Sequence, residues 1–524
     1  MFQRPEPAAV LPAVIVVGLM PVRIVFMSLV VCVPAVAVSA DEGRNLRVAD
    51  PIMVEAERLA DAGQFAEALR VLSRRDDSPG AEVARRRAEQ AEILRRIRLD
   101  YDLTEGAMLE RLRRAVPDVS AEDLRRWRES GEIQSRRIDE ALWYFNREPS
   151  NLFKRSNEAR ERRDRADGGA EARADADRAA RLVRHLAEIV AEANRGAAVE
   201  YRPVRHRVTF SITLTPRHHA LKSGSRVRIW MPYAQEYRQQ RDVRLVRASP
   251  AVTTVGPNWD EARGGQRQRS LYFETRVDDA TRPVRVEAVY EWTCAAYYPR
   301  LDPVKARPHD TGSALYREFT AERPPHIVFT PEIRAIAERE TAGLTNPLER
   351  ARRLWLWITR NIRYAYEAEY STIPSLAVKA IRAERGDCGV QGMAFLALCR
   401  AAGVPARWQS GWQTKPWGYT MHDWTEFHVE PWGWLPADPS YGLQASENPR
   451  IREFYFGHMD AYRCIMNLDY GCPLVPPKET FRSEPVDFQR GEVEVDGENW
   501  YYDEWSYAFR LEWPDEAAPD RESR

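Results

Sequence analysis

Two short stretches of the chain carry residue types that could act on a covalent bond. The first reads GDCGVQGMAFLALCRAAGVPAR, residues 386–407. Gly386, Asp387 and Gly389 surround Cys388 with turn formers. An apolar run through Met393, Phe395, Leu396 and Leu398 follows, and Gly403 and Pro405 end it. That pattern predicts a helix opening at or just after Cys388. Unpaired amides and the helix dipole at such a terminus favour thiolate over thiol, so a lowered Cys388 pKa is expected. The same amides, with the Cys388 N–H, can receive an oxyanion. Cys399, about 16 Å further along such a helix, falls in the apolar stripe and reads as core. A thiolate nucleophile needs a base and a group that orients the base. The second stretch, MHDWTEFHVEPWGWLPADPSYG at residues 421–442, offers both. Residues 422–429 alternate like a strand, Glu430–Gly433 read as a turn and Trp434–Ala437 as the returning strand. A turn centred near Pro431 sets Asp438 opposite Trp424 and diagonal to His422, about 7–8 Å apart and within reach of a carboxylate and an imidazole. His428 shares that face but lies opposite Trp434, nearer the turn, so the register prefers His422.

Taken together, Gly-Asp-Cys-Gly, the helix ending Cys-Arg-Ala-Ala-Gly-Val-Pro-Ala-Arg, then His-Asp-Trp-Thr-Glu-Phe and Gly-Trp-Leu-Pro-Ala-Asp-Pro-Ser resemble the transglutaminase-like superfamily. The resemblance covers about residues 320–445 and, weakly, the β-rich region before them. It implies a catalytic triad with Cys388 as nucleophile, His422 of a His-x-Trp motif as base and Asp438 as orienting acid. It also implies a papain-like fold, in which the cysteine helix packs on an antiparallel sheet carrying the other two. The family supplies an aromatic or polar side chain to the oxyanion hole from upstream of the cysteine. Tyr370 is the first choice and Tyr366 the second, with packing as the plain alternative for both. The implied reaction is acyl transfer on amide bonds through a thioester, with hydrolysis by a peptidase or amidase favoured over crosslinking. The alternative is a non-catalytic exported scaffold whose cleft binds peptide or glycan. Trp408, Trp412, Trp417, Trp424, Trp432 and Trp434 are expected to wall the cleft, which would suit an extended peptide or glycan chain; the expected substrate is a peptide, protein or cell-wall amide. No Cys-x-x-Cys pair, His-Glu-x-x-His, phosphate-binding glycine loop or EF-hand loop occurs, so the expected mechanism uses no cofactor and no metal.

The elements that position these residues need a long chain. With 524 residues, about 100–200 per domain allows three or four domains. Formal net charge is zero, which argues against nucleic acid as a partner. Only six of the 78 basic residues are lysine, leaving few amines for self-crosslinking. From Met20 the sequence shows Arg23, an apolar run Ile24–Val38 and Val38-Ser39-Ala40 before Asp41, the pattern of a secretory signal. Either Met20 is the start and the segment is cleaved, or it joins the apolar stretch before it as an uncleaved anchor. Pro21, Arg23 and Pro34 favour cleavage and an exported, periplasmic or extracellular protein. Cleavage leaves Cys294, Cys388, Cys399, Cys464 and Cys472, an odd number and hence at least one free thiol. Cys464 and Cys472 are candidates for a small-loop disulfide.

The fold class expected is α+β: a transglutaminase-like catalytic domain preceded by a β-sandwich and an N-terminal helical region. After the signal segment (1–40) come a helical hairpin region (41–100), with Gly63 at its turn and Ala66 and Ala68 packing, and a small helical domain (101–155). Ser120 and Asp123 of the latter form a capping box ahead of Leu124 and Trp127. A charged linker and helix (156–200) end at Gly196, with Leu182, Val183, Leu186, Ile189 and Val190 on one side. Alternation through Val208–Leu214, Val227–Met231 and Val284–Trp292 marks the sandwich (201–300), with Cys294 buried at its end. The catalytic domain (310–450) opens with helices at Pro331 and Pro347, the second running to Asn361. A β-rich extension (451–513) and a disordered tail (514–524) complete the chain.

Overall fold

The computed structural model describes residues 50–74 and 80–515. The expected signal segment, Cys32 and most of the expected tail lie outside them. Pro51–Asp61 is capped by the Asp50 side chain, which accepts the Ile52 N–H at 3.1 Å. Gly63 turns the chain with φ +80 into Phe65–Leu72, and the long helix Ala81–Asp100 follows. Ala68 is buried as expected, but Ala66 is exposed because Phe65 and Ala68 hold the inward positions of that helix. The Ser120–Asp123 capping box forms, and Leu124 and Trp127 behind it are buried. Between this helix and Glu148–Arg155 the chain makes a two-stranded hairpin, Ser135–Ile138 with Ala141–Tyr144, where only helix was expected. Strands of four residues leave too little alternation to stand out. The helix Ala170–Arg195 buries Leu186, Ile189, Val190 and Ala193 and ends at Gly196.

Beyond it the periodicity shifts to two. Glu200–Leu214 pairs antiparallel with Arg285–Tyr297 on one side and with the late strand Trp505–Glu512 on the other. A second sheet joins Arg226–Pro232 to Ser270–Arg276 and, across its other edge, to Glu492–Val495. The two sheets share one apolar core that includes Phe210, Ile212, Ile229, Phe273, Tyr290 and Val493. The β-rich extension thus completes the sandwich: its alternating residues fill the layer that the earlier strands leave open. Cys294 is buried in that core, as expected.

The remaining sheet is antiparallel, in the order Gly433–Ala437, Gly418–Val429, Ala406–Lys415, Arg463–Asn467. The helices Pro331–Thr341, Pro347–Asn361 and Leu376–Ala383 enclose the helix Cys388–Ala401, which packs on this sheet. Every residue from Cys388 to Arg400 is buried, as an apolar helix at the centre of a layer must be. Gly403 ends it with φ +74, while the Val404 N–H reaches back to the Cys399 carbonyl at 2.8 Å; the left-handed turn is open to glycine at little cost. Cys399 is core, as expected. Trp408, Trp412 and Trp424 are fully buried and are not cleft walls. Trp408 and Trp424 pack in the core between this sheet and its helices and Trp412 in that of the sandwich, while Trp417, Trp432 and Trp434 stay partly exposed. All five described cysteines are free thiols, Cys464 and Cys472 included.

Candidate active site

Cys388 stands at the first turn of its helix. Asp387 caps it, accepting the Val390 N–H at 3.1 Å through Oδ1. The Gly389 N–H is taken as well: it donates to the Tyr370 hydroxyl oxygen at 3.1 Å, and that hydroxyl donates to Asp387 Oδ1 at 2.7 Å. A Cβ on residue 389 would lie 2.2 Å from the Tyr370 hydroxyl, so glycine is what lets the phenol reach the helix end. Tyr370 therefore stands beside the cysteine. Tyr366 does not; its ring lies under Arg147 and Lys154.

The loop carrying both tyrosines is held from outside the catalytic sheet. Asn151 brackets Tyr366, accepting its N–H at 2.7 Å and donating to its carbonyl at 2.9 Å. Asp100 accepts the Glu369 N–H at 3.0 Å, and Arg490 grips the Glu369 carboxylate at 2.6 Å. The N-terminal helices and the C-terminal segment thus set where Tyr370 stands.

The hairpin register is the expected one: Thr425 faces Ala437 and His428 faces Trp434. His422 and Asp438 meet, Nε2 to Oδ2 at 2.7 Å. The remaining lone pairs of Asp438 are also used. Oδ2 accepts from Arg463 Nη2 at 3.1 Å, and Oδ1 from the Ser440 hydroxyl at 2.8 Å and the Tyr441 N–H at 3.2 Å. Burial pushes the Asp438 carboxyl up, but His422, Arg463 and Ser440 outweigh it and hold the group down at about 2. A carboxylate that is ionised can only accept, so Nε2 carries the ring proton and Nδ1 its lone pair. Burial lowers the His422 pKa from its ordinary value, Asp438 opposing and Arg463 and Lys415 assisting, so the ring is neutral near pH 7. The Tyr441 ring meets it edge-on at 5.2 Å.

The cysteine sulfur faces a different partner. Cys388 Sγ donates to Asp423 Oδ2 at 3.5 Å, and among the described residues no hydrogen bond joins it to the His422 ring. Asp423 Oδ2 also lies 3.2 Å from the Tyr370 hydroxyl oxygen, whose one proton it shares with the nearer Asp387, and its Oδ1 accepts from Gln489 Nε2 at 2.6 Å. The same Gln489 amide donates to the His422 carbonyl at 3.0 Å. The expected lowering of the Cys388 pKa is overturned. Burial, then the Asp423 and Asp387 carboxyls, push the thiol well above its ordinary value. The helix-terminal amides that favour a thiolate are occupied by Asp387 and Tyr370, and desolvation of the charged form dominates.

Asp423, Arg463, Gln489, Ser440 and Tyr441 were not singled out by the sequence. Asp438-Pro-Ser-Tyr could have been read as a side-chain-closed turn, which accounts for Ser440 and Tyr441. Arg463 and Gln489 arrive from distant strands and loops with no local signal. One group among the described residues could converge on a metal ion, His218, Asp503 and Glu504. Arg95 already pairs with Asp503 at 2.7 Å, and Glu504 accepts the N–H groups of Arg217 and His218, so this group ties down a loop.

Residues 334–439 match the sequence profile of the transglutaminase-like superfamily. No curated protein matches the chain. Among solved structures, a candidate cysteine protease from Cytophaga hutchinsonii is similar at 13% identity, over 61% of this chain and 93% of its own, with a TM-score of 0.40. The periplasmic domain of TgpA from Pseudomonas aeruginosa is similar at 19% identity, over 50% of this chain and 93% of its own, with a TM-score of 0.25. At these scores neither bears on the chemistry of the site.

Proposed function

We propose, taking the transglutaminase-like core as premise, that the protein is a cysteine-dependent enzyme that transfers acyl groups from amide bonds. The single observation that supports this best is the His422–Asp438 pair at 2.7 Å, set in the strand whose next residue touches the Cys388 sulfur. Cys388 is the nucleophile, His422 the base and then the acid, and Asp438 the anchor of the ring. The Cys388 S–H gives its proton to His422 Nδ1, and the sulfur attacks the amide carbonyl carbon. The C–N bond breaks as Nδ1–H protonates the departing amine, leaving a thioester on Cys388. Water, deprotonated by His422, then attacks the thioester and releases the carboxylic acid, and the sulfur recovers its proton. Tyr370 stands on the Gly389 amide where the carbonyl oxygen would gain charge, which supports it as the oxyanion donor once substrate displaces its present partner.

Hydrolysis of a peptide or cell-wall amide is favoured over amine transfer, and the apolar segment before Asp41 favours an exported setting. Cys388→Ala is expected to abolish turnover of peptide, peptidoglycan and glutamine–amine substrates; full amidase activity in that variant overturns the assignment. The rival reading, a non-catalytic binder, draws on the enclosure of Cys388, which is 8% exposed. Selective alkylation of Cys388 by iodoacetamide, over the four other described cysteines, favours the enzyme; complete inertness at all pH values up to unfolding favours the binder.

A further inference from the structure

The acyl-transfer reading uses His422, yet the residue hydrogen-bonded to the sulfur is its neighbour in the strand. Asp423 is 2% exposed, and the side chains that hydrogen-bond to it are a thiol, a phenol and an amide. From the cysteine helix come Cys388 and Asp387, and from the preceding loop Tyr370 and Tyr364. From the C-terminal segment come Gln489 and Asp487, the latter flanked by Glu484 and Arg490. No cation forms an ion pair with Asp423 among the described residues. Lys379, the nearest base to act on Asp387, is spent on Glu367. The Arg490 guanidinium is shared between Glu369 and Glu484.

Two buried acids in contact resist ionising together, and the carboxyl, the stronger acid of the two, loses its proton before the thiol, which must then ionise beside a negative charge. Burial, Asp487 and Asp387 push Asp423 well above the usual carboxylate range. Alternation along the strand sends His422 and Asp423 to opposite faces, so the sulfur cannot serve both at once without moving.

We propose that Asp423 is a positioning residue that parks Cys388 as a neutral thiol, and that the nucleophile is armed when its sulfur leaves the Asp423 carboxyl for the His422 ring. Gln489 is the second half of the device, because its one amide group fixes both the Asp423 carboxyl and the His422 backbone. The proposal rests on Cys388 being the nucleophile. Substrate entering the site would supply the displacement, taking the Tyr370 hydroxyl as a hydrogen-bond donor and loosening its hold on Asp423.

The test is the pH profile of Cys388 alkylation by iodoacetamide in the full chain, read by mass spectrometry of the peptide that contains it. Wild type is expected to alkylate at pH 7 more slowly than glutathione, despite the helix terminus. Asp423→Asn is expected to move the midpoint down by at least one pH unit, about a tenfold faster reaction at pH 7.5 where the rate follows the thiolate fraction. Gln489→Leu, which leaves the carboxyl in place but frees it, is expected to shift the profile in the same direction by less. The proposal is overturned if wild-type Cys388 outpaces glutathione at pH 7. It is equally overturned if folded Asp423→Asn follows the wild-type profile. Should Asp423→Asn fail to fold, the wild-type and Gln489→Leu profiles decide. Retained amidase activity in Cys388→Ala would instead remove the acyl-transfer reading, leaving the alkylation result to speak for Asp423 alone.

Discussion

His422 and Asp423 are consecutive residues of one strand, and the regions on its two faces treat a buried carboxyl in opposite ways. On the His422 face, Asp438 has four donors, two of them cationic or able to become so. It stays ionised although it is wholly buried. On the other face Asp423 and Asp387 have hydroxyl, thiol and amide donors but, among the described residues, no ion pair, and burial pushes Asp387 up to about 6. Burial is common to both faces; the guanidinium of Arg463 is not. His422, with the buried Arg463 behind it, thus keeps a fixed negative charge on one side of the strand that the other side lacks.

The comparison breaks most severely if Asp438 is made unable to accept. Asp438→Asn is expected to lower kcat by about 10^3–10^4-fold, because the amide presents no charge and allows the wrong ring tautomer; a loss below tenfold would remove Asp438 from the machinery. Arg463→Met comes next. It strands the buried Asp438 and Asp460 carboxylates that Arg463 approaches at 3.1 and 3.7 Å, and should cost about 3–5 kcal/mol of stability in denaturant melts. Gly389→Ala drives a methyl against the Tyr370 hydroxyl at 2.2 Å, and a loss of about 1–3 kcal/mol is expected from forced displacement in a packed site. Tyr370→Phe in the same chain should recover only part of that loss, since the methyl also meets the ring carbons Cζ at 2.6 Å and Cε2 at 2.7 Å.

The smallest effects lie in pH, and their signs differ between the faces. Asp438, held at about 2 in the fold against about 3.9 in an unfolded chain, contributes stability above pH 4 that is lost as pH falls towards 2. Asp387, raised to about 6, penalises the fold as pH rises from about 4 to 6. Urea midpoints of Asp387→Asn should therefore gain on wild type between pH 4 and 6.5, while Asp438→Asn should gain on wild type only below pH 4. Parallel curves for the two variants would erase the contrast. Activity should fall on the acid side as His422 takes a proton, at a pH below the ordinary histidine value, since burial lowers that group.

The half of this arrangement that was legible in the sequence is the half encoded locally. Turn residues around Cys388 and Gly403 announced the helix, and the Pro431 turn fixed a register that carried Asp438 to His422. The opposing half depends on side chains that no window of the sequence brings together. Arg463 comes from the far edge of the sheet, and Gln489 from a segment 66 residues beyond Asp423. Asp423 itself is the unspecified middle of His-x-Trp, a position the motif leaves open. The expected low thiol pKa failed for the same reason, because a helix terminus is visible in sequence while the carboxyls buried beside it are not. The tryptophans misled through composition: an aromatic-rich stretch reads as a binding surface, yet strand alternation turned Trp408, Trp412 and Trp424 inward. The sandwich, by contrast, was plain from period-two patterning, and its completion by residues 492–512 needed only the pairing partners that long-range contacts supply.

Gln489 lies just before the strands that close the sandwich, and it pins the two consecutive residues on which the chemistry turns. A chain made from its N-terminus therefore finishes the catalytic hairpin well before it finishes the support that fixes it. Until Gln489 arrives, the Asp423 carboxyl lacks the amide that holds it against the Cys388 thiol.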